Sequence, residues 1–342
     1  MTASGFPPRA ALICLLLPLI SCASPRAGVT RTLDLAYARC SLTLGDHADE
    51  AIFAACFSRI EGILRSLDMY NDQSEVSAVN RAAGVRPVAV SAETIQVLRQ
   101  GLSLAERTGG RFDPTVGPLV RLWGISGSNP RVPSSAEIDA ARALVDWKKV
   151  SVDEKARTVF LERPGMSLDF GALLKGFAAV EAGRLLSARG VTSAIAEIGG
   201  SVIALGSSPR GGPWRVGVQE PGAPNGTFVG LLRVRDAVVN TSGLYEQFFI
   251  ADGKRYAHIL DTRTGYPVAN GVDAVVVIRD RLQNADGPSL AILALGPEEG
   301  LALAERLGVD ALIIGADRTL RMTDGARRRF ELLDRSYRIV SP

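Results

Sequence analysis

SLDFGALLKGFAAVEAGRLLSARGVTSAIAEIGGSVIALG, residues 167–206, changes period repeatedly, and those changes decide the fold. Residues 167–170 read as a strand running into a helix. The helix begins near Lys175 and stops at Gly190, the residue type that takes the left-handed turn past a helix end without strain. Strand patterns follow at 194–197 and 202–205, with Gly199-Gly200-Ser201 between them. Further strands come with no helix between, at 214–219, 231–233, 237–240 and 247–250. A doubly wound parallel sheet would alternate strand and helix, whereas here the two are partly segregated. The fold class is therefore α+β, with mixed or antiparallel sheets and packed helices.

Upstream, a strand pattern over 32–44 leads into an amphipathic helix over about 47–67. Its apolar residues Ile52, Phe53, Cys56, Phe57, Ile60, Ile63 and Leu64 recur at the i, i+3, i+4, i+7 spacing. A polar loop over 70–77 precedes helices over 92–108 and near 135–145, then strands at 150–152 and 158–161. Downstream come a strand at 274–278, helices near 289–295 and 297–307, and a strand at 311–314. No internal repeat or linker breaks the chain, so residues 31–342 read as one unit.

The chain has 342 residues, 46% of them hydrophobic and 22% charged, which is globular composition. Lys+Arg number 39 against Asp+Glu 36, and no Lys/Arg-rich run gathers the excess, so nucleic acid is excluded as a partner. Only His47 and His258 occur, which rules out a three-His zinc site. Four cysteines without a CxxC pair exclude zinc ribbons and c-type haem attachment.

Residues 1–21 read as a bacterial export signal, with Arg9 ahead of an apolar stretch over 10–20 too short to span a bilayer. Leu19-Ile20-Ser21-Cys22 resembles a lipobox, which makes Cys22 the lipidation site and 22–30 a polar linker. The expected location is the periplasmic side of a bacterial membrane, held there by lipid. Export places Cys40 and Cys56 where a disulfide can form, and two buried thiols fit the sequence equally.

Four clusters gather Gly, Asp and small polar residues where the chain turns: 109–115 (GGRFDPT), 167–176 (SLDFGALLKG), 199–201 (GGS), and 240–243 (NTSG) with 256–265 (YAHILDTRTG). Asp286 opens a later helix. Singly, each has a plainer reading: glycine pairs make turns, an Asp at a helix start is a cap, and a histidine in an apolar strand is a satisfied core residue. Lys175 at a helix start is less ordinary, because the dipole disfavours a cation there and favours an anionic ligand.

Together and in order, the motifs resemble the ApbE family, exported flavin transferases that move FMN from FAD onto a threonine of a target protein. The resemblance runs from Ala36 to about Ala316 through YNDQSEVSAVN (70–80), GGRFDPTVGPLVRLWG (109–124), LDFGALLKGFA (168–178), IGGSVIALG (198–206), NTSG (240–243) and HILDTRTGYPV (258–268). It implies FAD contacts at Asp68, Met69 and Tyr70 in a flavin-proximal loop, at Arg111, Phe112 and Asp113, at Asp169 and Lys175, and at His258 and Ile259. It implies magnesium held by the Ala172 carbonyl and the Asp286 carboxylate, with Ser289 near a further ligand position. His258 or Asp286 is then the base for the acceptor hydroxyl, and AMP is the leaving group. The implied partners are FAD, a target flavoprotein carrying an acceptor threonine, and a membrane through the lipid anchor.

The chain departs from the family pattern at four places. Ala36-Tyr37-Ala38 replaces Met-Gly-Thr, Leu244 replaces an aspartate, Val180 replaces an aspartate, and Leu290 replaces a metal-ligating threonine. The alternative that Leu290 raises is a flavin-binding lipoprotein of the same fold, a carrier or assembly factor without transfer chemistry.

Overall fold

The computed structural model describes residues 28–36, 38–127, 129–280 and 287–340. Its centre is a sheet that comprises, among the described residues, nine strands. Their spatial order is β1 (Val29–Leu35), β2 (Ala38–Leu44), β6 (Ala194–Ile198), β7 (Ser201–Leu205), β10 (Ala237–Gly243), β13 (Val272–Asp280), β14 (Asp310–Gly315), β15 (Thr319–Met322) and β17 (Arg338–Ile339). Every neighbouring pair is antiparallel except β15 with β17.

The central strands are covered on both sides, which is why they read as continuous apolar runs. Along β13, Val275 and Val277 enter one core while Ala274, Val276 and Ile278 enter another. The first core holds helices α1 (Glu50–Ser66), α3 (Ala92–Arg107), α6 (Gly171–Ala188), α7 (Pro288–Leu295) and α8 (Pro297–Leu307). The second is closed by a three-stranded sheet, β8 (Trp214–Gln219), β9 (Phe228–Val234) and β16 (Phe330–Leu332), and by α9 (Asp324–Arg329). Helix α6 is buried over most of its surface, Val180 included, and keeps few polar positions, Lys175, Glu181 and Arg184 among them.

Helix α2 (Glu75–Arg81) and a small sheet of β3 (Val88–Ala89), β5 (Thr158–Leu161) and β4 (Val150–Asp153) add Val76, Val79, Val88, Val159 and Leu161 to the first core, and α4 (Gly117–Trp123) and α5 (Ser135–Arg142) follow them at its side. A separate hairpin, β11 (Phe248–Ala251) with β12 (Lys254–Ala257), stands on a satellite core of Leu119, Trp123, Ile138 and Leu260.

Several expectations shift. The strand expected over 32–44 is the hairpin β1–β2, reversed at Ala36, whose φ of 50 is left-handed. Val29 and Thr30, read as linker, already belong to β1. The loop expected over 70–77 contains the start of α2, capped by the Ser74 side chain, and α4 was not anticipated; each is too short to show a helical period. Residues 167–170 form only one bridge, Ser167 to Val116, and Phe170 has left extended backbone at ψ 11, so no strand runs directly into α6. Helix α6 begins at Gly171, whose N–H is accepted by Asp169, so Lys175 lies beyond its first turn and the dipole argument lapses. His258 follows the end of β12 and is not inside a strand. Cys40 and Cys56 are two free buried thiols, each pushed up to about 12 by burial. The signal segment with Cys22, Tyr37, and Asp286 lie outside the described residues. Among the described residues no helix is long and apolar enough to cross a membrane.

Candidate active site

A cavity of about 1510 Å³ opens where the loops after α1 and α3, the start of α6, the β6–β7 turn, β10 and the end of β12 converge. It exceeds the roughly 300–1,000 Å³ of an ordinary small-molecule site, and a dinucleotide is the size of ligand it suits. Asp68, Met69, Tyr70, Arg111, Phe112, Asp113, Asp169, Ala172, Lys175, His258, Ile259 and Ser289 all line it.

The turn 111–115 is pinned by Asp113. Its Oδ1 accepts from the Thr115 N–H at 2.8 Å and the Thr115 hydroxyl at 2.7 Å, and its Oδ2 accepts from the Trp147 N–H at 3.0 Å. Burial pushes this carboxyl up, and the three bonds oppose that shift. Asp113 is thus committed to the protein, and its role at the cavity is to hold Arg111 and Phe112 in place. Thr262 ties the same turn to the loop after β12, donating its hydroxyl to the Gly110 carbonyl at 2.6 Å.

Asp169 is positioned from both sides. Asn80 on α2 clamps the backbone of Leu168, donating to its carbonyl at 3.0 Å and accepting from its N–H at 2.7 Å. Asp169 then accepts from Gly171 N–H at 2.7 Å. Its carboxyl is pushed up by burial and by Asp68 nearby. Asp68 caps its own loop by accepting from the Tyr70 N–H at 2.9 Å, and burial pushes it up as well.

Lys175 crosses the β6–β7 turn. A Cβ on Gly199 would meet Lys175 Cδ at 3.0 Å, and Gly199 and Gly200 take φ of 50 and 90, so glycine is required both for the turn and for the lysine to pass. Glu197 accepts from the Gly200 N–H at 2.9 Å, and a Cβ on Gly200 would lie 3.7 Å from Glu246 Oε1. The cavity walls push the Glu246 carboxyl up by desolvation; Lys175 opposes that shift and Glu197 adds to it. Lys175, Glu197 and Glu246 therefore form one electrostatic group on the cavity wall. Sequence reasoning missed both glutamates, although a charged residue in the apolar alternation of β6, just before a Gly-Gly turn, is a signal for Glu197.

His258 is neutral. Burial and the charge of Lys175 lower it from 6.5 to about 4. Its Nδ1 lies 3.1 Å from the Gln247 carbonyl, so the neutral ring donates there and leaves the Nε2 lone pair free. The Gln247 side chain in turn accepts from the Ser126 hydroxyl at 2.5 Å.

The Ser242 and Ser289 hydroxyls meet at 2.9 Å, joining β10 to α7, and Leu290 lines the cavity beside them. Among the described residues no group of three or more His, Cys, Asp or Glu is placed to hold a metal. Ala172, Ser242 and Ser289 all line the cavity, and a backbone carbonyl and hydroxyls are oxygens of the kind a hard cation takes.

The model of the ApbE family matches residues 32–313. The chain is 35% identical to a FAD:protein FMN transferase of Klebsiella pneumoniae, over 85% of this chain and 91% of the relative. It is 32% identical to the FAD:protein FMN transferase of Treponema pallidum, over 95% of this chain and 96% of the relative. Among solved structures, the ApbE protein of Thermotoga maritima superposes with a TM-score of 0.80 at 29% identity, covering 88% of this chain and 99% of that one. The apo flavinyl transferase ApbE of Pseudomonas stutzeri superposes with a TM-score of 0.74 at 31% identity, covering 84% and 91%. The chain belongs to the ApbE family.

Proposed function

We propose that this chain is a FAD:protein FMN transferase, moving FMN from FAD to a threonine hydroxyl of a target protein and releasing AMP. The observation that carries the reading is the convergence of motifs spread from Asp68 to Leu290 on one cavity of dinucleotide size. Lys175 supplies the cationic contact for a pyrophosphate or flavin oxygen. His258 Nε2 takes the proton of the acceptor hydroxyl, whose oxygen bonds to the FMN phosphorus as the P–O bond to AMP breaks. An imidazole held near 4 is a weak base. A pyrophosphate beside Lys175 offsets that lysine's charge and moves the ring toward a useful basicity.

Magnesium fits the oxygen donors. Ala172 through its carbonyl, Asp286 through its carboxylate and Ser289 through its hydroxyl would hold it, and when bound it neutralises charge on the pyrophosphate. Leu290 offers no oxygen, so the site draws more of its coordination from substrate and water, and metal affinity is weak. Cys22 carries the lipid that keeps the folded part at the periplasmic side of a membrane.

The test is mass spectrometry of a threonine-bearing acceptor incubated with FAD and magnesium, with AMP quantified. An FMN adduct with equimolar AMP is expected. Leu290 in the cavity wall favours a second reading, a flavin carrier without chemistry, which wins if FAD binds and neither product forms at saturating metal.

A further inference from the structure

An FMN transferase needs a surface for its protein acceptor as well as a pocket for FAD. The hairpin β11–β12 meets that need. It forms its own two-stranded sheet, so among the described residues both outer edges are unpaired. Isolated hairpins are marginal in water, yet this one is anchored: Phe249 stacks on Tyr256 at 5.3 Å, and Tyr256 packs on the buried Trp123 at 5.5 Å. The opposite face is left open. Phe248 is 44% and Ile250 67% exposed, with the Arg255 guanidinium stacked over Phe248 at 4.1 Å.

The backbone is also presented. Gln247 accepts from His258 N–H at 3.0 Å, and the register pairs Phe249 with Tyr256 and Ala251 with Lys254. Antiparallel ladders bond at alternate pairs, so the N–H and C=O of Phe248 and Ile250 face away from β12. An open edge bearing large apolar side chains is an aggregation hazard unless it has an occupant.

The occupant follows from position. Phe248 and Arg255 line the cavity, and His258 sits at the end of β12. A threonine whose hydroxyl reaches His258 is embedded in a chain that must leave the cavity across its rim, where this hairpin stands. We propose that the β11 edge and the Phe248–Ile250 face dock an extended segment of the acceptor protein as a third strand, with apolar side chains at alternate positions beside the acceptor threonine. This rests on the transferase reading. It explains why the hairpin is packed on its Tyr256 side and exposed on the other: main-chain bonds give the acceptor affinity, and the apolar face sets its register.

Ile250 is outside the cavity lining, so it separates docking from chemistry. The probe is a library of synthetic peptides with one central threonine and randomised flanks, given to the full-length chain with FAD and magnesium. FMN adducts are sequenced by mass spectrometry. Wild type is expected to select apolar residues at alternate flanking positions. Ile250→Asp should lose that selection and raise the KM for the best wild-type peptide by roughly tenfold or more, with FAD affinity and kcat at saturating peptide unchanged. Ile250→Pro, which removes the edge N–H, should raise the KM similarly. Hydrogen exchange at the Phe248 and Ile250 amides should slow when that peptide is added. Adducts from wild type with no flanking selection, or an unchanged KM in both variants, overturn the docking proposal and leave the transferase reading standing. A loss of self-association in Ile250→Asp without a KM effect assigns the edge to a second copy of this chain and also overturns it. Absence of any adduct from wild type removes both readings.

Discussion

Lys175→Met keeps the length and apolar stem of the side chain and removes its charge, which tests the electrostatic group on the cavity wall directly. Two consequences follow. A charge-assisted hydrogen bond to the ligand is worth about 1.5–3 kcal/mol, so the Kd for FAD should rise roughly 10- to 150-fold. The second consequence is internal. Lys175 and burial together hold His258 near 4, and burial is the larger cause. Removing the lysine should therefore raise the His258 pKa part of the way toward 6.5 without reaching it. The chain has only two histidines, His47 and His258, so their ring resonances can be assigned with one His258→Gln control and titrated by NMR. FAD affinity is read by fluorescence quenching on the same samples. A Kd within a factor of about two of wild type would sink the ligand contact. A His258 resonance that titrates at or below its wild-type midpoint would refute the assigned coupling, because no arrangement with the lysine cation beside the ring allows it.

Asp286→Ala should abolish metal-dependent AMP release while thermal unfolding stays near wild type, and Leu290→Thr should lower the magnesium concentration giving half-maximal release; metal-titrated AMP assays read both. Asp113→Ala leaves the buried Thr115 N–H and the half-buried Trp147 N–H without their acceptor, a cost of about 1–3 kcal/mol, so a melting curve should show a clear loss of stability and a wild-type curve would refute the pinning role. Cys22→Ser should leave unprocessed precursor or release the protein from membranes, and normal processing with unchanged fractionation would count against lipidation.

The large elements were legible where their periodicity was long. Helix α1 repeats its apolar residues over more than three turns, and the structure buries Ile52, Phe53, Cys56, Phe57, Ile60, Ile63 and Leu64 in one core. The double-sided burial of β13 shows as an unbroken apolar run. Helices α2 and α4 were invisible because seven residues hold only two turns, and their starts are set by Ser74 and by Pro118 and not by an apolar stripe. The start of α6 was misplaced because its first turn has no capping Ser or Thr. Asp169 performs that task from a position before the N-cap, which a scan for cap residues passes over.

The site separates the same way. Motif order placed residues from Asp68 to Ser289 on the cavity, but motif identity does not say which of them faces the ligand. Asp113 and Asp169 look alike in sequence, each an aspartate where the chain turns. Asp113 satisfies both oxygens internally, while Asp169 gives one backbone N–H a partner and has Asp68 close enough to push its carboxyl up. Glu246 sits in none of the Gly- and Asp-rich clusters, and Glu197 stands just before one; only the fold brings both to Lys175 at the Gly199-Gly200 turn. The Leu290 departure is likewise a question of place. Beside it, the Ser289 and Ser242 hydroxyls bond at 2.9 Å, which joins β10 to α7 and fixes where the Ser289 oxygen sits. A ligand held by such a bond is already oriented, and a threonine at Leu290 adds one further oxygen beside it, so that substitution should change the magnesium requirement more than the rate at saturation.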